Sequence, residues 1–291
     1  MMRSKLFMRG DRPEALPQAL ASGADVVSID LEDTVLPGNK VEARAAVARL
    51  VKDLPNATLA RVLVRVNSAQ SGLLRDDLEA LVGTGVTLFN LPKPESADHV
   101  REACDLLSNL ERARGMQDMS CKLLLNVETP TGLRCAHEIT AASARVAGLQ
   151  IGYADLLEPY GIDREFETAL DHIRMTVRLV AAGFDIPVYD GVYADISNDM
   201  FFRAECMRAK RIGFTGKSCF NGAQVAIANE VFQPTPEQLV TAQRIVDSAI
   251  KAFAEGDGIY VLDGRIVDEP FVAGARKLLE RAKEIAQRVQ S

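Results

Sequence analysis

Two short stretches carry the residues best placed for chemistry. Leu123 to Pro130 reads LLLNVETP, and Gly148 to Gly161 reads GLQIGYADLLEPYG; each opens on an apolar run and ends in a carboxylate, Glu128 and Asp155. A short apolar run bounded by turn formers is the pattern of an interior strand. A carboxylate just past such a strand lies at the edge of the sheet, where α/β folds place their chemistry. Two carboxylates on successive strand ends offer hard oxygen donors to a divalent ion that keeps open positions for substrate, the habit of Mg²⁺. From spacing alone the rival reading stands beside it: strand-end acids also serve as helix caps or solvated loop residues.

The elements that must position this pair alternate along the chain. Strand-like runs lie in Leu6–Met8, DVVSIDLED, ARVLVRVN, VTLFNLPK, KLLLNVET, RVAGLQIGYADL, PVYDGV and FTGKS, each followed by a helical pattern. Examples are KVEARAAVARLVKDL, with apolar residues three and four apart, and SADHVREACDLLSNLERARG, with Ser96 as its cap. Eight strand-then-helix units predict a (β/α)8 TIM barrel in residues 1–232. A doubly wound sheet shares the alternation, but MRGDRPE after the first run is not the glycine-rich phosphate loop such folds carry. The prolines of QPTPEQ mark a boundary, and 233–291 reads as a C-terminal extension of helix, hairpin and helix that packs on the barrel or on a neighbouring subunit.

In a parallel barrel the strand ends share one face. Arg9, Asp11, Asp30, Glu32, Asp33, Arg65, Asn67, Lys93, Glu128, Asp155, Asp190 and Lys217 would therefore converge on one mouth. Arg65, closing the run VLVR, could grip a carboxylate with two parallel hydrogen bonds. Asp33 and Asp190 also suit capping or turn roles, and Lys217 a solvated position.

Composition bounds the function. The net charge of −6 argues against nucleic acid or an anionic membrane as the main partner, and no apolar run approaches the ~20 residues that span a bilayer. The opening MMRSKLFMRGDRPE turns polar too early for a signal peptide. Five scattered cysteines without a C-x-x-C pair fit reduced thiols in a cytoplasm. His99, His137 and His172 sit in helical, charge-rich surroundings, which argues against histidine-based metal or triad chemistry.

The chain resembles the citrate lyase β-subunit-like branch of the HpcH/HpaI aldolase family, which includes malyl-CoA and citramalyl-CoA lyases. The matching motifs are LFMRGDRPE, VVSIDLEDTVLPGNKVEAR, LVRVN, LPKPES, LLNVETPTG, GLQIGYADL, GFTGKS and QPTPEQLVTAQRIV, in the family's order from about Leu6 to Val246. The resemblance implies Mg²⁺ on Glu128 and Asp155, and Arg65 on the 2-oxoacid portion of the substrate. It puts Asp30 and Glu32 behind them, orienting metal waters or Arg65. Arg12 and Lys40 would hold the acyl-CoA, with Lys93 nearby. Asp268, in Gly264-Arg265-Ile266-Val267-Asp268, would be the acid/base that reaches an adjacent subunit's pocket, so a homotrimer or hexamer is implied. The implied reaction is retro-Claisen cleavage of a 3-hydroxy-3-carboxylic acyl-CoA to an acyl-CoA and a 2-oxoacid. A citrate lyase complex subunit acting on a carrier-protein thioester, a metal-dependent aldolase and a malyl-CoA thioesterase would use the same site. Two departures are visible: Phe7-Met8-Arg9-Gly10 replaces the common LFVPG, and Cys219-Phe220-Asn221-Gly222 replaces the frequent I-H-P, which bears on the acyl group accepted.

Overall fold

Eight apolar runs become strands that pair side by side, all parallel. The computed structural model describes residues 2–290, with side chains to 287. The strands are β1 (Ser4–Arg9), β2 (Val26–Asp30), β3 (Val62–Arg65), β4 (Leu88–Pro92), β5 (Lys122–Val127), β6 (Val146–Ile151), β7 (Val188–Asp190) and β8 (Gly216–Cys219). They close into one barrel, β1 meeting β8 through Ser4 beside Lys217 and Leu6 beside Cys219. Closure explains the near-continuous apolar runs: a strand covered by helices outside and filled by side chains inside has no wet face. β2, for example, is buried along its whole length.

The helices outside bury a stripe each. In Ala97–Ala113, Val100, Ala103, Cys104 and Leu107 repeat at three and four residues and face inward. Ser96 caps that helix, its hydroxyl accepting from the His99 N–H at 3.3 Å. Arg145 is almost wholly buried and offsets its charge against Glu111, 2.7 Å away, with further hydrogen bonds to Ser108 and the Cys121 carbonyl.

Local differences from the sequence reading have physical causes. β1 begins at Ser4, two residues before Leu6, because its edges are paired on both sides by β2 and β8. The helical pattern after β5 forms two short helices, Pro130–Arg134 and Ala136–Ala141, divided at Cys135. The long helix after β6 runs Glu167–Gly183, and just ahead of it the Arg164 guanidinium donates to Glu205 and the Val192 carbonyl.

Residues from Gln233 onward form a second compact unit, apart from Met2–Phe232. Its helix Pro236–Ala254 starts with a capping box in which Thr235 and Gln238 satisfy each other's backbone N–H groups. β9 (Tyr260–Leu262) and β10 (Arg265–Val267) pair antiparallel across Asp263-Gly264, both at positive φ (50° and 75°), the geometry a two-residue hairpin needs. The helix Glu269–Gln290 follows, and Ala249, Val267 and Val272 make the small core of this unit.

Candidate active site

Glu128 follows the last residue of β5, and Asp155 lies in the helical turn Tyr153–Leu157 after β6. Glu128 is 3% exposed, whereas the Asp155 carboxylate is 40% exposed at the mouth. Their approach depends on Gly152 between them. A Cβ built there would fall against the Glu128 carboxylate, so only glycine lets the β6 end pass this close. Glu128 accepts from the Lys93 backbone N–H at 3.0 Å and from the Asn126 side-chain amide. Burial pushes its pKa up to about 8, opposed by the nearby Arg65 charge. Among the described residues, no group of three or more His, Cys, Asp or Glu could hold a metal. Glu128 and Asp155 by themselves would offer two carboxylates, a donor set that suits an ion retaining most of its waters.

Arg65, at the end of β3, is fixed by acids from β2. Its Nε and Nη2 donate to the two oxygens of Asp30 at 2.7 and 2.8 Å, and Nη1 lies 2.9 Å from Glu32. Asp30 also caps the following turn, accepting from the N–H groups of Glu32 and Thr34. Burial would raise Asp30, yet the Arg65 charge and hydrogen bonds hold its pKa below the usual carboxylate range. Glu32, mostly buried and beside Asp33, is pushed up to about 7. Asp33 lies in the turn that the Val35 N–H closes onto the Glu32 carbonyl, and it faces Arg65 at 3.5 Å and Lys93 at 3.1 Å. The Phe7 ring lies beneath the Arg65 guanidinium, 5.3 Å from its carbon, and tilts against Phe220 at 6.1 Å.

Lys93 sits at the centre of the mouth, bonded to both sides of it. Lys40 and Arg12 differ. The three Lys40 donors go to the Leu31 and Glu32 carbonyls and to Asn67 Oδ1, at 2.6 to 2.7 Å, so its ammonium is a strut between the ends of β2 and β3. Arg12 is exposed, its nearest acid Glu14 at 3.9 Å. Asp268 belongs to the second unit, between β10 and the last helix, where its carbonyl accepts from the N–H groups of Phe271 and Val272. Its Oδ1 is buried without a hydrogen-bond partner, a costly arrangement outside a functional setting.

Two buried networks are not foreseen in the sequence, although its strand ends place Asp190 and Lys217 at the mouth. Asp190 and Lys217 are neither cap nor solvated residue but the core of an ion network. Asp190 accepts from Tyr153 Oη (2.6 Å), Lys217 Nζ (2.7 Å) and Arg174, and Glu205 lies 3.2 Å from Lys217. Because Tyr153 opens the helical turn that carries Asp155, this network moors a candidate ligand. Inside the barrel, Lys5 on β1 donates to Gln150 on β6, which donates to Asn126 on β5 at 2.9 Å, which donates to Glu128. β1 and β6 are not neighbours in the sheet, so this chain crosses the lumen. Burial lowers the Lys5 pKa to about 7, with the Arg65 charge adding to the effect. The only signal in the sequence is polar residues at alternate positions of otherwise apolar runs. His99, His137 and His172 all lie in helices of the barrel unit, and the five cysteines are free.

A closed parallel barrel whose strand ends gather carboxylates around a clamped arginine is the architecture of a TIM-barrel enzyme. The sequence matches the family described as HpcH/HpaI aldolase/citrate lyase over residues 3–222. The chain belongs to that family, and it is a lyase. It is 33% identical to citrate lyase subunit beta of Haemophilus influenzae over 286 residues, 97% of each chain. It is 32% identical to a (3S)-malyl-CoA thioesterase of Cereibacter sphaeroides, over 98% of this chain and 95% of that one. Among solved structures, protein CitE of Mycobacterium tuberculosis in complex with magnesium, acetoacetate and coenzyme A superposes with a TM-score of 0.76 at 31% identity, covering 96% of this chain and 97% of that one. The citrate lyase beta subunit of the same organism, complexed with oxaloacetate and magnesium, gives 0.68 at 31% identity, covering 80% and 97%.

Proposed function

We propose that the protein is a Mg²⁺-dependent carbon–carbon lyase acting on a 3-hydroxy-3-carboxylic acyl-CoA of the citramalyl-, malyl- or citryl-CoA type. It releases an acyl-CoA and a 2-oxoacid, in the retro-Claisen direction of a reversible reaction. The observation that carries this is that Lys93 touches both Glu128, through its N–H, and Asp155, through its ammonium, beside an arginine clamped by Asp30 and Glu32. Glu128 and Asp155 would hold Mg²⁺, which when bound supplies positive charge to the substrate's hydroxyl and carboxylate oxygens. Solved relatives hold magnesium with oxaloacetate, and magnesium with acetoacetate and coenzyme A.

The chain's own residues do the rest. Arg65 spends Nε and one Nη2 hydrogen on Asp30, so it keeps further N–H donors for the carboxylate of the departing 2-oxoacid. Held from behind, it meets the developing oxygen charge without reorganising. The substrate hydroxyl loses its proton to solvent as the carbon–carbon bond breaks to the 2-oxoacid carbonyl and an acyl-CoA enolate, and Asp268 delivers the proton that the enolate carbon takes up. If it acts from a neighbouring subunit, the working form is a homo-oligomer, a trimer or hexamer. With Lys40 and Lys93 engaged by partners of their own, the exposed Arg12 is the cation that remains for the thioester and its phosphates.

The test is a screen of purified protein with Mg²⁺ and citramalyl-, malyl- and citryl-CoA, detecting pyruvate, glyoxylate and oxaloacetate separately. Cleavage of one of them, lost in Glu128→Ala, is expected; full Mg²⁺-dependent turnover by that variant would sink the reading. The thioesterase relative favours a second reading, hydrolysis of the thioester at the same site. Release of free CoA and a hydroxy acid with no 2-oxoacid would select it. Activity confined to a carrier-protein thioester would instead mark a citrate lyase complex subunit.

A further inference from the structure

Lys93 makes contacts that a ligand for CoA does not need. Its ammonium lies 2.8 Å from Glu32, 3.1 Å from Asp33 and 3.3 Å from Asp155. Its backbone N–H donates to Glu128 at 3.0 Å. One residue from the end of β4 therefore ties together the segments that follow β2, β5 and β6. It does so from a left-handed backbone, φ 52°, which a residue with a side chain seldom adopts without a structural demand. The Lys93 side chain is only one quarter exposed, so these contacts are made partly out of water, where charge interactions strengthen.

Both carboxylates assigned to the metal are thus already engaged by the same residue, one by its ammonium and one by its N–H. We propose that Lys93 is a resident cation of the metal site. It balances the acids of the mouth while the metal is away, and Mg²⁺ must displace it from Asp155 in order to bind. On this view it is a positioning residue that lowers metal affinity, and the apparent affinity of the protein is the intrinsic one reduced by the work of moving an ammonium. The inference rests on Glu128 and Asp155 being the metal pair.

Binding to metal-stripped protein tests it without any turnover. Mn²⁺ binding is followed by electron spin resonance and Mg²⁺ binding by calorimetry, for wild type, Lys93→Met, Lys93→Gln, Lys93→Arg and Glu128→Gln. Removing a positive charge this close to a ligand should tighten divalent binding about tenfold in the two neutral variants. Lys93→Arg, which keeps the charge, should stay near wild type. The neutral variants should also melt at lower temperature without metal, yet gain more from added Mg²⁺ than wild type does. Loss of packing would weaken metal binding, so tightening separates the two causes. If Lys93→Met fails to fold, Lys93→Gln, which still donates to Glu32, carries the test. Equal or weaker affinity in the neutral variants, with wild type binding normally, overturns this proposal alone. Binding unaffected by Glu128→Gln overturns the metal pair itself.

Discussion

At the scale of single residues, Glu128 is a carboxyl whose ionised form burial strongly disfavours. Burial holds its folded pKa at about 8, against an ordinary 4.5. Between those values the folded protein binds more protons than the unfolded chain, so its contribution to stability falls as pH rises from about 4.5 to 8 and is constant above. Glu32, raised to about 7, acts in the same sense. Lys5, lowered to about 7, acts oppositely above pH 7, where the unfolded chain binds the extra proton. Metal-stripped Glu128→Gln should therefore be more stable than wild type near pH 8 by on the order of a few kcal/mol, with the gap closing toward pH 5. Denaturant unfolding across that range checks it; a gap independent of pH would contradict the assignment. The strand end at Glu128 was readable from LLLNV, whereas spacing alone left its role open between metal ligand, cap and solvated loop residue. Lys217 and Asp190 were legible as strand-end residues but not as an ion network, because their buried partners Arg174 and Glu205 come from helices elsewhere in the chain.

At the scale of elements, the junction of β6 with its helical turn sets the distance between the two candidate ligands. Gly152 has no positive φ to explain it; what it supplies is the absence of a Cβ against Glu128. Gly152→Ala should keep the barrel but push the Glu128 carboxylate aside, weakening Mg²⁺ binding by about tenfold or more while costing about 1–3 kcal/mol of stability as a small-to-large change in a packed site. Calorimetric titration beside thermal unfolding would separate those effects. Unchanged affinity would mean that the turn has slack. The helix Ala97–Ala113 and its Ser96 cap were legible because their signals are local. The short β1 reading failed at Ser4 and Lys5, whose strand character comes from pairing with β2 and β8 and from partners across the lumen.

At the scale of the molecule, the barrel of Met2–Phe232 holds the proposed metal pair and Arg65, and the unit from Gln233 onward holds Asp268. If Asp268 works in a neighbour's pocket, two dead variants should rescue each other. Co-expressed Glu128→Gln and Asp268→Asn chains would form oligomers containing some pockets with both residues intact. Activity in the mixed oligomer, absent from either variant alone, is expected; none would place Asp268 outside the reaction or within its own chain's site. Asp268→Asn by itself should lose turnover while its Mg²⁺ affinity stays that of wild type, since it touches no metal ligand in the proposed scheme.

The order of apolar runs, helical stripes and strand-end acids lies in the sequence itself. Local periodicity and turn chemistry are properties of neighbouring residues, and they suffice for eight strand–helix units. The resemblance then attached chemistry to Glu128, Asp155 and Arg65. Only the tertiary structure decided what those residues touch. Barrel closure brought Lys5 to Gln150 across the lumen, drew Lys40 inward onto carbonyls, and set the Lys93 ammonium among three acids from two other loops. Such contacts depend on strand register and on a backbone angle at one residue, and no pattern along the chain encodes either.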